Sequence, residues 1–346
     1  MAKIKILYTG GTIGSQINDS VADVVCNTEF PLFDYYKAAR TENNVDFFAE
    51  SLINVLSENI SFSDWETIYN RMYDINRNDC DGIILTHGTD TLAYTAIFLS
   101  IMLSHIDVPV LIVSSNYPLD DKRTNGYANF TAAVDFILNV GVRGVYVPYA
   151  EGDIVKMHLG SRLHPIQTFS HNFASIGNCY FGIMQNEIFQ WNNNKYNPTL
   201  DELNISSLIK IPKFHSANNI QIITPYPGLD YSTLSFTDNP VAVLHGLYHS
   251  GTACTTATEE KFSILPFIHN CQKKGVDFYI APLDTSCTVY KTTKEMLDAG
   301  VKFVSNTSFE ASYVKLMIAY SVFDDEQERR DFLDKNIAFE KIIQRS

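Results

Sequence analysis

Two short turns carry the side chains with the greatest potential for chemistry. Residues 9–14 read Thr-Gly-Gly-Thr-Ile-Gly, and residues 87–91 read His-Gly-Thr-Asp-Thr. A threonine hydroxyl becomes a useful nucleophile once a neighbouring base or cation activates it. Thr89 or Asp90 suits the N-cap of a following helix, where backbone N–H groups favour an anion. Either turn alone is better explained as a plain turn or helix cap, whereas the pair together is far more specific.

Other sites are not supported by the spacing. Residues 10–14 miss the dinucleotide-binding pattern because position 12 would have to be glycine, and the chain has no Walker A sequence. His245 and His249 have the spacing of a ligand pair on a helix, but the pattern around them predicts a strand. We therefore expect structural histidines and no metal site.

Both turns follow segments that are typical of buried strands. Apolar runs rich in β-branched residues predict parallel strands at 4–8, 82–86 and 108–113. Helical patterns lie between or after them at 65–77, 91–104 and 126–138. This alternation predicts an α/β sheet, and ligands of such sheets bind outside the carboxyl ends of the strands. The two turns lie there, as do Ser114, Ser115 and Asn116 after the third strand.

The alternation resumes after a change in composition. Residues 190–214 are rich in asparagine and contain prolines, which is typical of a connection. Later strand patterns lie at 220–224, 241–248, 277–281 and 301–304, with helical patterns at 259–274, 293–299 and 310–320. We predict a first domain at 1–190, a linker at 191–218 and a second domain at 219–346.

Composition limits the compartment and the partners. The 346-residue chain has a formal net charge of -13, which disfavours nucleic acid and anionic membrane surfaces as partners. Its six cysteines form no CxxC pair, so we expect free thiols in a reducing compartment. The N-terminus lacks a signal-peptide pattern, and no apolar run has membrane-spanning length. These features predict a cytoplasmic protein.

The two turns, in this order, resemble the bacterial-type L-asparaginase family, and the run at 87–96 is similar to its cytoplasmic type I branch. Further matches are Pro118-Leu119, Arg123, Gly126, Tyr226-Pro227-Gly228 and Glu310-Ala311. The resemblance covers nearly the whole chain, strongly in the first domain and loosely in the second.

This resemblance implies a flavodoxin-like N-terminal domain with a parallel sheet and a smaller α/β C-terminal domain. It also implies an amidohydrolase that converts L-asparagine, or a related small amide, to L-aspartate and ammonia without metal or cofactor. Family members attack the amide with a threonine hydroxyl and hydrolyse the acyl-enzyme with water. The resemblance further implies a homodimer or homotetramer with the site near a subunit interface.

Matching positions assign roles within that family pattern. Thr12 is the expected nucleophile, and Thr89 and Asp90 belong to the second catalytic group. The expected substrate-binding residues are Gly11, Ser57, Glu58, Gly88 and Ser115. Ser57 would hold the substrate carboxylate, Glu58 and Asp90 would face its amino group, and the Ser115 carbonyl would meet the carboxamide.

The pattern departs from the family at two places. The lysine that the family sets beside Thr89 follows a Gly-x-Arg sequence, and here Gly160-Ser161-Arg162 leads to Pro165 instead. The segment 15–27 lacks the tyrosine of the family's mobile loop, and whether Tyr35 or Tyr36 substitutes is open.

Four side chains are candidates for the missing amine or base: Lys156, Lys122, His158 and His164. We favour solvated lysines and packed histidines at these positions. A second hypothesis follows, namely an amino-acid-binding or regulatory protein that keeps the pocket without turnover. The asparaginase-like subunit of a tRNA amidotransferase is a third, and the position of the first turn at residue 9 argues against it, because that subunit has an additional N-terminal domain.

Overall fold

The structure is a computed structural model. It describes residues 1–11, 15–18, 21–24, 31–40, 44–205, 210–211, 219–236, 238, 240–256, 258–286 and 288–344, of which 15–18, 21–24 and 205 are described by their backbone alone. The chain forms two compact units. The first comprises Met1–Lys213, Ile337–Phe339 and Gln344–Ser346, and the second comprises Phe214–Asn336 and Glu340–Ile343.

An eight-stranded sheet forms the centre of the first unit. Its strands are β1 (Ala2–Tyr8), β4 (Val45–Ser51), β5 (Gly82–Thr86), β6 (Pro109–Val113), β7 (Gly144–Glu151), β8 (Ile154–Leu159), β11 (Gly182–Gln185) and β12 (Ile188–Trp191). Two small pairs accompany it, β2 (Ser15–Asn18) with β3 (Val21–Val24) and β9 (Leu163–His164) with β10 (Ala174–Ser175). The helices are α1 (Pro31–Ala39), α2 (Phe62–Met72), α3 (Leu92–Met102), α4 (Gly126–Asn139) and α5 (Leu200–Ile205).

The sheet order is β12-β11-β8-β7-β6-β5-β1-β4. Strands β4, β1, β5, β6 and β7 are parallel, and β8, β11 and β12 extend the sheet in antiparallel fashion. With the β2–β3 pair set aside, the parallel strands follow the flavodoxin-like order 2-1-3-4-5, which confirms the predicted fold class. The order reverses at β1, between β4 and β5, so the ligand crevice is expected at the carboxyl ends of β1 and β5.

Helices α1 and α4 lie on the same face of this sheet. The rings of Phe33 and Phe130 are 6.1 Å apart, and the Tyr36 hydroxyl donates to Asp135 over 3.1 Å. The crossover from β1 to β4 runs in one direction along the sheet, and that from β6 to β7 runs in the other. Since both helices occupy one face, the two crossovers have opposite hands, and one is left-handed against the usual preference.

The strands predicted around the two turns are confirmed. All five residues of β5 and all five of β6 are buried, which is the reason their sequences are continuously apolar instead of alternating. Helix α3 is buried nearly all round, although its sequence pattern predicts a single apolar face. Strands β4, β7, β8, β11 and β12 have no counterpart among the predicted elements. Strands β4, β8, β11 and β12 are partly exposed and give a weak apolar signal, whereas β7 is largely buried and was not recognised.

The second unit has a four-stranded parallel sheet in the order β13-β14-β15-β16. Its strands are β13 (Ile220–Ile223), β14 (Ala242–Gly246), β15 (Asp277–Leu283) and β16 (Lys302–Ser305), and its helices are α6 (Ile264–Lys273), α7 (Lys291–Asp298), α8 (Phe309–Val322) and α9 (Glu326–Asp334). A buried ion pair joins α8 to the C-terminal segment: Lys315 Nζ is 2.7 Å from Glu340 Oε1, and both side chains are fully buried.

Of the segment 191–218, which was predicted as a linker, residues 191–205 and 210–211 belong to the first unit. They include α5, and the Tyr69 hydroxyl donates to the Ile211 carbonyl over 2.7 Å.

In the part of the chain that the structure describes, no helix is both long and apolar enough to cross a membrane.

Candidate active site

The ends of β1 and β5 are fixed to each other by two threonines. The Thr9 hydroxyl donates to the Thr86 carbonyl, and the Thr9 N–H donates to Thr86 Oγ1 over 3.3 Å. Both residues are buried. These two bonds, both donated by Thr9, hold the starting points of the two turns in register at the point where the strand order reverses.

Backbone contact between the turns requires glycine. A Cβ atom at Gly11 would lie 2.3 Å from the Gly88 nitrogen, and one at Gly10 would lie 2.6 Å from the Val55 carbonyl oxygen. Gly10 and Gly11 also have φ angles of 97° and 83°, which side chains rarely tolerate. The Gly-Gly pair is therefore a packing requirement at this point.

Ser57 is the third member of this contact. A Cβ at Gly88 would lie 2.5 Å from Ser57 Oγ, and Ser57 is 3% exposed. Its hydroxyl oxygen accepts the Asp90 N–H over 3.3 Å, and its carbonyl accepts the Thr91 hydroxyl over 2.7 Å. We call this contact of Gly11, Ser57 and Gly88 the glycine junction.

The structure thus brings four of the predicted site residues together: Gly11, Ser57, Gly88 and Asp90. Thr89 is half-buried, whereas Asp90 and Glu58 are exposed. Thr12 lies outside the described residues, directly after Gly11.

Ser115 lies one strand further along the same sheet edge. Its hydroxyl is 2.7 Å from Thr124 Oγ1 and also donates to the Tyr117 carbonyl. Asn116 and Asn125 hold the same loop through reciprocal bonds of 2.9 and 3.1 Å between their side-chain oxygens and backbone N–H groups. The Ser115 hydroxyl therefore serves its own loop, and a role for its carbonyl stays a prediction.

The helix cap differs from the sequence expectation. Helix α3 begins at Leu92 with Thr91 at the N-cap, not with Thr89 or Asp90, and Thr91 makes no side-chain capping bond. The Thr91 hydroxyl instead donates a hydrogen bond to the Ser57 carbonyl. Thr91 and Thr9 are thus site-building residues that sequence reasoning missed. Their position at the edges of the two turns was the available signal, but their partners are distant in sequence.

His87 is buried directly behind the second turn. Its Nδ1 lies 2.7 Å from the Gly88 carbonyl, which can only accept, so Nδ1 carries the proton and Nε2 is left as an acceptor. Burial lowers the pKa of His87 to about 4, against a weaker opposing effect of the bond to Gly88. The ring is therefore neutral at pH 7.

The loop that carries Pro165 is anchored through Arg162. This arginine is almost fully buried, and its guanidinium donates to the carbonyls of Phe339 and Tyr196. Ser161 donates to the Ala338 carbonyl over 2.7 Å. The Gly-x-Arg sequence thus has a structural task here that does not depend on a following lysine.

The candidates for a replacement amine are mostly engaged elsewhere. Lys156 pairs with Glu151 over 2.6 Å, Lys122 is exposed, and His164 is half-buried on β9. His158 is buried with its Nδ1 at 2.8 Å from Ser175 Oγ. Burial, with a smaller contribution from Lys156, lowers the pKa of His158 to about 3.

The two tyrosines considered for the mobile loop lie on α1. Tyr36 is fully buried and donates to Asp135, so it is a core residue of the first unit. Tyr35 is 47% exposed, and its ring lies 4.4 Å from that of Tyr127.

The histidines considered for a metal have other surroundings. His245 Nε2 is 3.0 Å from the Tyr231 hydroxyl, and His249 is exposed in the turn after β14. Across the described ranges, no group of three or more His, Cys, Asp or Glu side chains is arranged to hold a metal ion.

Comparison with known proteins points to one family. The family model "Asparaginase, N-terminal" matches residues 3–196, more than half of the chain. A glutamyl-tRNA(Gln) amidotransferase subunit of Methanosphaera stadtmanae is 28% identical over 96% of this chain and 75% of its own length. L-asparaginase of Thermococcus kodakarensis is 26% identical over 98% of each sequence.

Solved structures share the fold. The thermostable L-asparaginase of Thermococcus kodakarensis superposes with a TM-score of 0.78 at 23% identity, covering 98% of this chain and 99% of its own. L-asparaginase I of Vibrio cholerae has a TM-score of 0.75 at 22% identity, covering 99% of each chain.

Proposed function

Because this chain belongs to the asparaginase family, we propose that it is an amidohydrolase that releases ammonia from L-asparagine or a related small amide. In this proposal the Thr12 hydroxyl attacks the amide carbon, ammonia leaves, and water then hydrolyses the ester. The relative that supports this substrate is the L-asparaginase of Thermococcus kodakarensis.

The observation that carries the proposal is the glycine junction. The Gly11 and Gly88 backbones approach too closely for a side chain at Gly11, and the Ser57 side chain fills the space that a side chain at Gly88 would need. This packing holds Gly11, the residue before Thr12, against the backbone that leads to Thr89. A nucleophile and a second hydroxyl group held in a fixed relation are what a two-step acyl transfer needs.

Ser57 and the exposed acids suit an amino-acid substrate. The Ser57 oxygen already accepts the Asp90 N–H, so its own proton can be donated to a substrate carboxylate. Asp90 and Glu58 are exposed carboxylates beside it and complement an α-ammonium group. No cofactor or metal has a task in this scheme.

The test measures ammonia release from L-asparagine, L-glutamine and small β-amides. Wild-type protein and the Thr12→Ala variant are compared at matched concentration, with circular dichroism to show equal folding. We expect release by the wild type and none by the variant. Equal release by both, or none by either, would contradict the proposal.

A second candidate is a binding or regulatory protein that keeps the pocket. Pro165 favours it, because loss of a general acid-base group lowers rates by roughly two to four orders of magnitude. Titration calorimetry with L-aspartate separates the two candidates. Stoichiometric binding without ammonia release would support the binding protein, and turnover would exclude it.

A third candidate is the asparaginase-like subunit of a tRNA amidotransferase, since relatives named as subunits of glutamyl-tRNA(Gln) amidotransferase match almost all of this chain. Release of ammonia from free L-asparagine, without tRNA or a second protein, would favour a stand-alone hydrolase.

We further propose a cytoplasmic homodimer or homotetramer with the site near a subunit interface. Sedimentation velocity would measure the assembly, and a monomer would contradict it.

A further inference from the structure

Thr91 occupies the N-cap of α3 but does not cap that helix with its side chain. An N-cap threonine ordinarily accepts a backbone N–H of the first helical turn through its hydroxyl oxygen. Thr91 makes no such bond, although its carbonyl accepts the N–H groups of Tyr94 and Thr95 over 3.1 and 3.2 Å. The hydroxyl donates to the Ser57 carbonyl, 34 residues earlier in the chain, over 2.7 Å. This side chain therefore has a task other than starting the helix.

The segment that carries Ser57 follows β4, the edge strand of the sheet. Strand β4 ends at Ser51, and three backbone N–H groups within residues 52–55 donate to carbonyls at the end of β1 over 2.9, 3.3 and 3.1 Å. The chain then enters a short 3-10 helix at Ser57–Asn59. The Ile60 N–H donates to the Ser57 carbonyl over 3.2 Å, which is a bond inside this turn and does not fix the turn to the rest of the site.

Within the described part of the chain, two hydrogen bonds join Ser57 to another segment, and both donors directly precede α3. The Asp90 N–H donates to Ser57 Oγ over 3.3 Å, which is long for such a bond. The Thr91 hydroxyl donates to the Ser57 carbonyl over 2.7 Å, the usual length for a hydroxyl donor. Ser57 is 3% exposed, so water competes weakly for these bonds. The Thr91 bond is therefore the stronger of the two.

The Ser57 carbonyl belongs to the peptide unit that joins Ser57 to Glu58. Because a peptide unit is planar, fixing its oxygen also fixes the direction of the Glu58 N–H and the position of the Glu58 Cα atom. Under the proposed function, the Ser57 hydroxyl donates to the carboxylate of the substrate, and Glu58 faces its ammonium group. A single hydroxyl, that of Thr91, thus holds both residues that would recognise the amino-acid head group.

We propose that Thr91 is a positioning residue for the head group of the amino-acid substrate, because its hydroxyl holds the peptide unit between Ser57 and Glu58. The ligand in this inference rests on the proposed function, whereas the hold on the Ser57 turn does not. The head group is bound alike before and during the reaction, so loss of the Thr91 hydroxyl raises KM with little change in kcat. Asparagine and glutamine share this head group, so the preference between them stays the same.

Thr95 supplies the matched control, one helical turn further along α3. Its hydroxyl oxygen accepts the Trp65 Nε1–H over 2.9 Å, and the Trp65 ring stacks on that of Phe98 at 4.9 Å, so these contacts join α2 to α3. Thr95 is fully buried. Thr91→Val and Thr95→Val each remove one hydroxyl that forms a tertiary contact, but only the first hydroxyl touches Ser57. General loosening between α2 and α3 would therefore be seen in the Thr95 variant.

The first experiment measures L-aspartate binding by titration calorimetry. We expect the Kd to rise about tenfold in Thr91→Val, as for the loss of one well-formed hydrogen bond. Thr91→Ser keeps the hydroxyl and should bind like the wild type, as should Thr95→Val. In ammonia release, the KM values for L-asparagine and L-glutamine should rise by the same factor, with kcat within about twofold of the wild type. An unchanged Kd in Thr91→Val, or an equal rise in Thr95→Val, would overturn the inference.

The second experiment asks whether Thr91 acts through Ser57. The Kd for L-aspartate is measured in Ser57→Ala and in the double variant with Thr91→Val. Once the Ser57 hydroxyl is absent, removing the Thr91 hydroxyl should raise the Kd by about twofold or less, because the two residues belong to one contact. A further tenfold rise in the double variant would mean that Thr91 acts on the ligand independently of Ser57, which would overturn the positioning role.

The third experiment measures the Ser57 turn itself and needs no ligand. Hydrogen exchange of a peptide that covers residues 56–61 should be severalfold faster in Thr91→Val than in the wild type, Thr91→Ser or Thr95→Val. Unchanged exchange in Thr91→Val would overturn the hold on the turn, whatever the activity. A wild type that neither binds L-aspartate nor releases ammonia would overturn the proposed function and the ligand named here, whereas faster exchange would still establish that Thr91 positions the turn.

Discussion

The glycine junction and the loop at 160–165 differ in how closely they follow the family pattern. At the junction, the Gly11 and Gly88 backbones touch, and a single carbon added at Gly11 would collide with the main chain at Gly88. In the loop, Arg162 is held by main-chain carbonyls, while position 165 is a half-buried side chain that nothing in the fold requires to be lysine. Backbone contacts therefore preserve the pocket, and side-chain support for catalysis is free to change.

The largest effect is expected from Gly11→Ala. Its Cβ would lie 2.3 Å from the Gly88 nitrogen at a φ of 83°, so the turn must shift. We expect a loss of about 4 kcal/mol in the free energy of unfolding, together with loss of ammonia release. Gly152→Ala is the matched control in the same unit, because its φ is 63° with no atom within 4 Å. The control should lose about 1 kcal/mol, and equal losses would contradict the packing argument.

A smaller loss of stability, which a second substitution should partly reverse, is expected from a substitution at Gly88. Its added Cβ would meet Ser57 Oγ at 2.5 Å and Ser57 Cβ at 2.8 Å, and both atoms belong to one side chain. Gly88→Ala alone should cost about 3 kcal/mol, and adding Ser57→Gly should restore about 2 kcal/mol of it. Denaturant unfolding of the two single variants and the double variant measures this coupling. Simple additivity would show that Ser57 does not touch Gly88.

Lowering the pH should reduce the free energy of unfolding because His87 is buried in its neutral form. The pKa of His87 is about 4 in the fold and about 6.5 in the unfolded chain, so the unfolded state binds a proton first as pH falls. The stability that neutral His87 contributes is complete above pH 6.5 and is lost between pH 6.5 and 4, with about 2 kcal/mol gone at pH 5. Unfolding at pH 7.5 and pH 5 should therefore show a drop that is about 2 kcal/mol smaller in His87→Gln than in the wild type. The same drop in both proteins would mean that the pKa of His87 is the same in the folded and unfolded states, as expected for an exposed ring.

The smallest effect is expected from Lys156→Met. This lysine is a partly buried partner of Glu151 at 2.6 Å, so its removal should cost under about 1 kcal/mol and leave ammonia release unchanged. Glu151→Gln is the control for the ion pair. A fall in kcat of a hundredfold or more in Lys156→Met, but not in Glu151→Gln, would identify Lys156 as the replacement amine.

Local sequence patterns were sufficient for the central parallel strands. Residues 82–86 and 108–113 are short, β-branched and bounded by turn residues, and they form β5 and β6 within one residue. The hairpin strands beside them were not predicted, because they are short and partly exposed. Helix α4 was predicted within one residue. The face of the sheet on which it lies could not be predicted, because the apolar pattern of a helix does not depend on the handedness of its crossover.

The sequence by itself determined the family, the fold class and the two turns that mark the pocket. These features depend on residues close together in the chain, such as Gly10 and Gly11, whose types report the local backbone. Tertiary structure alone decided that Gly11, Ser57 and Gly88 touch and that Tyr36 is a core residue. Those facts arise from strand order and register, which join residues far apart in sequence and therefore cannot be derived from any one segment.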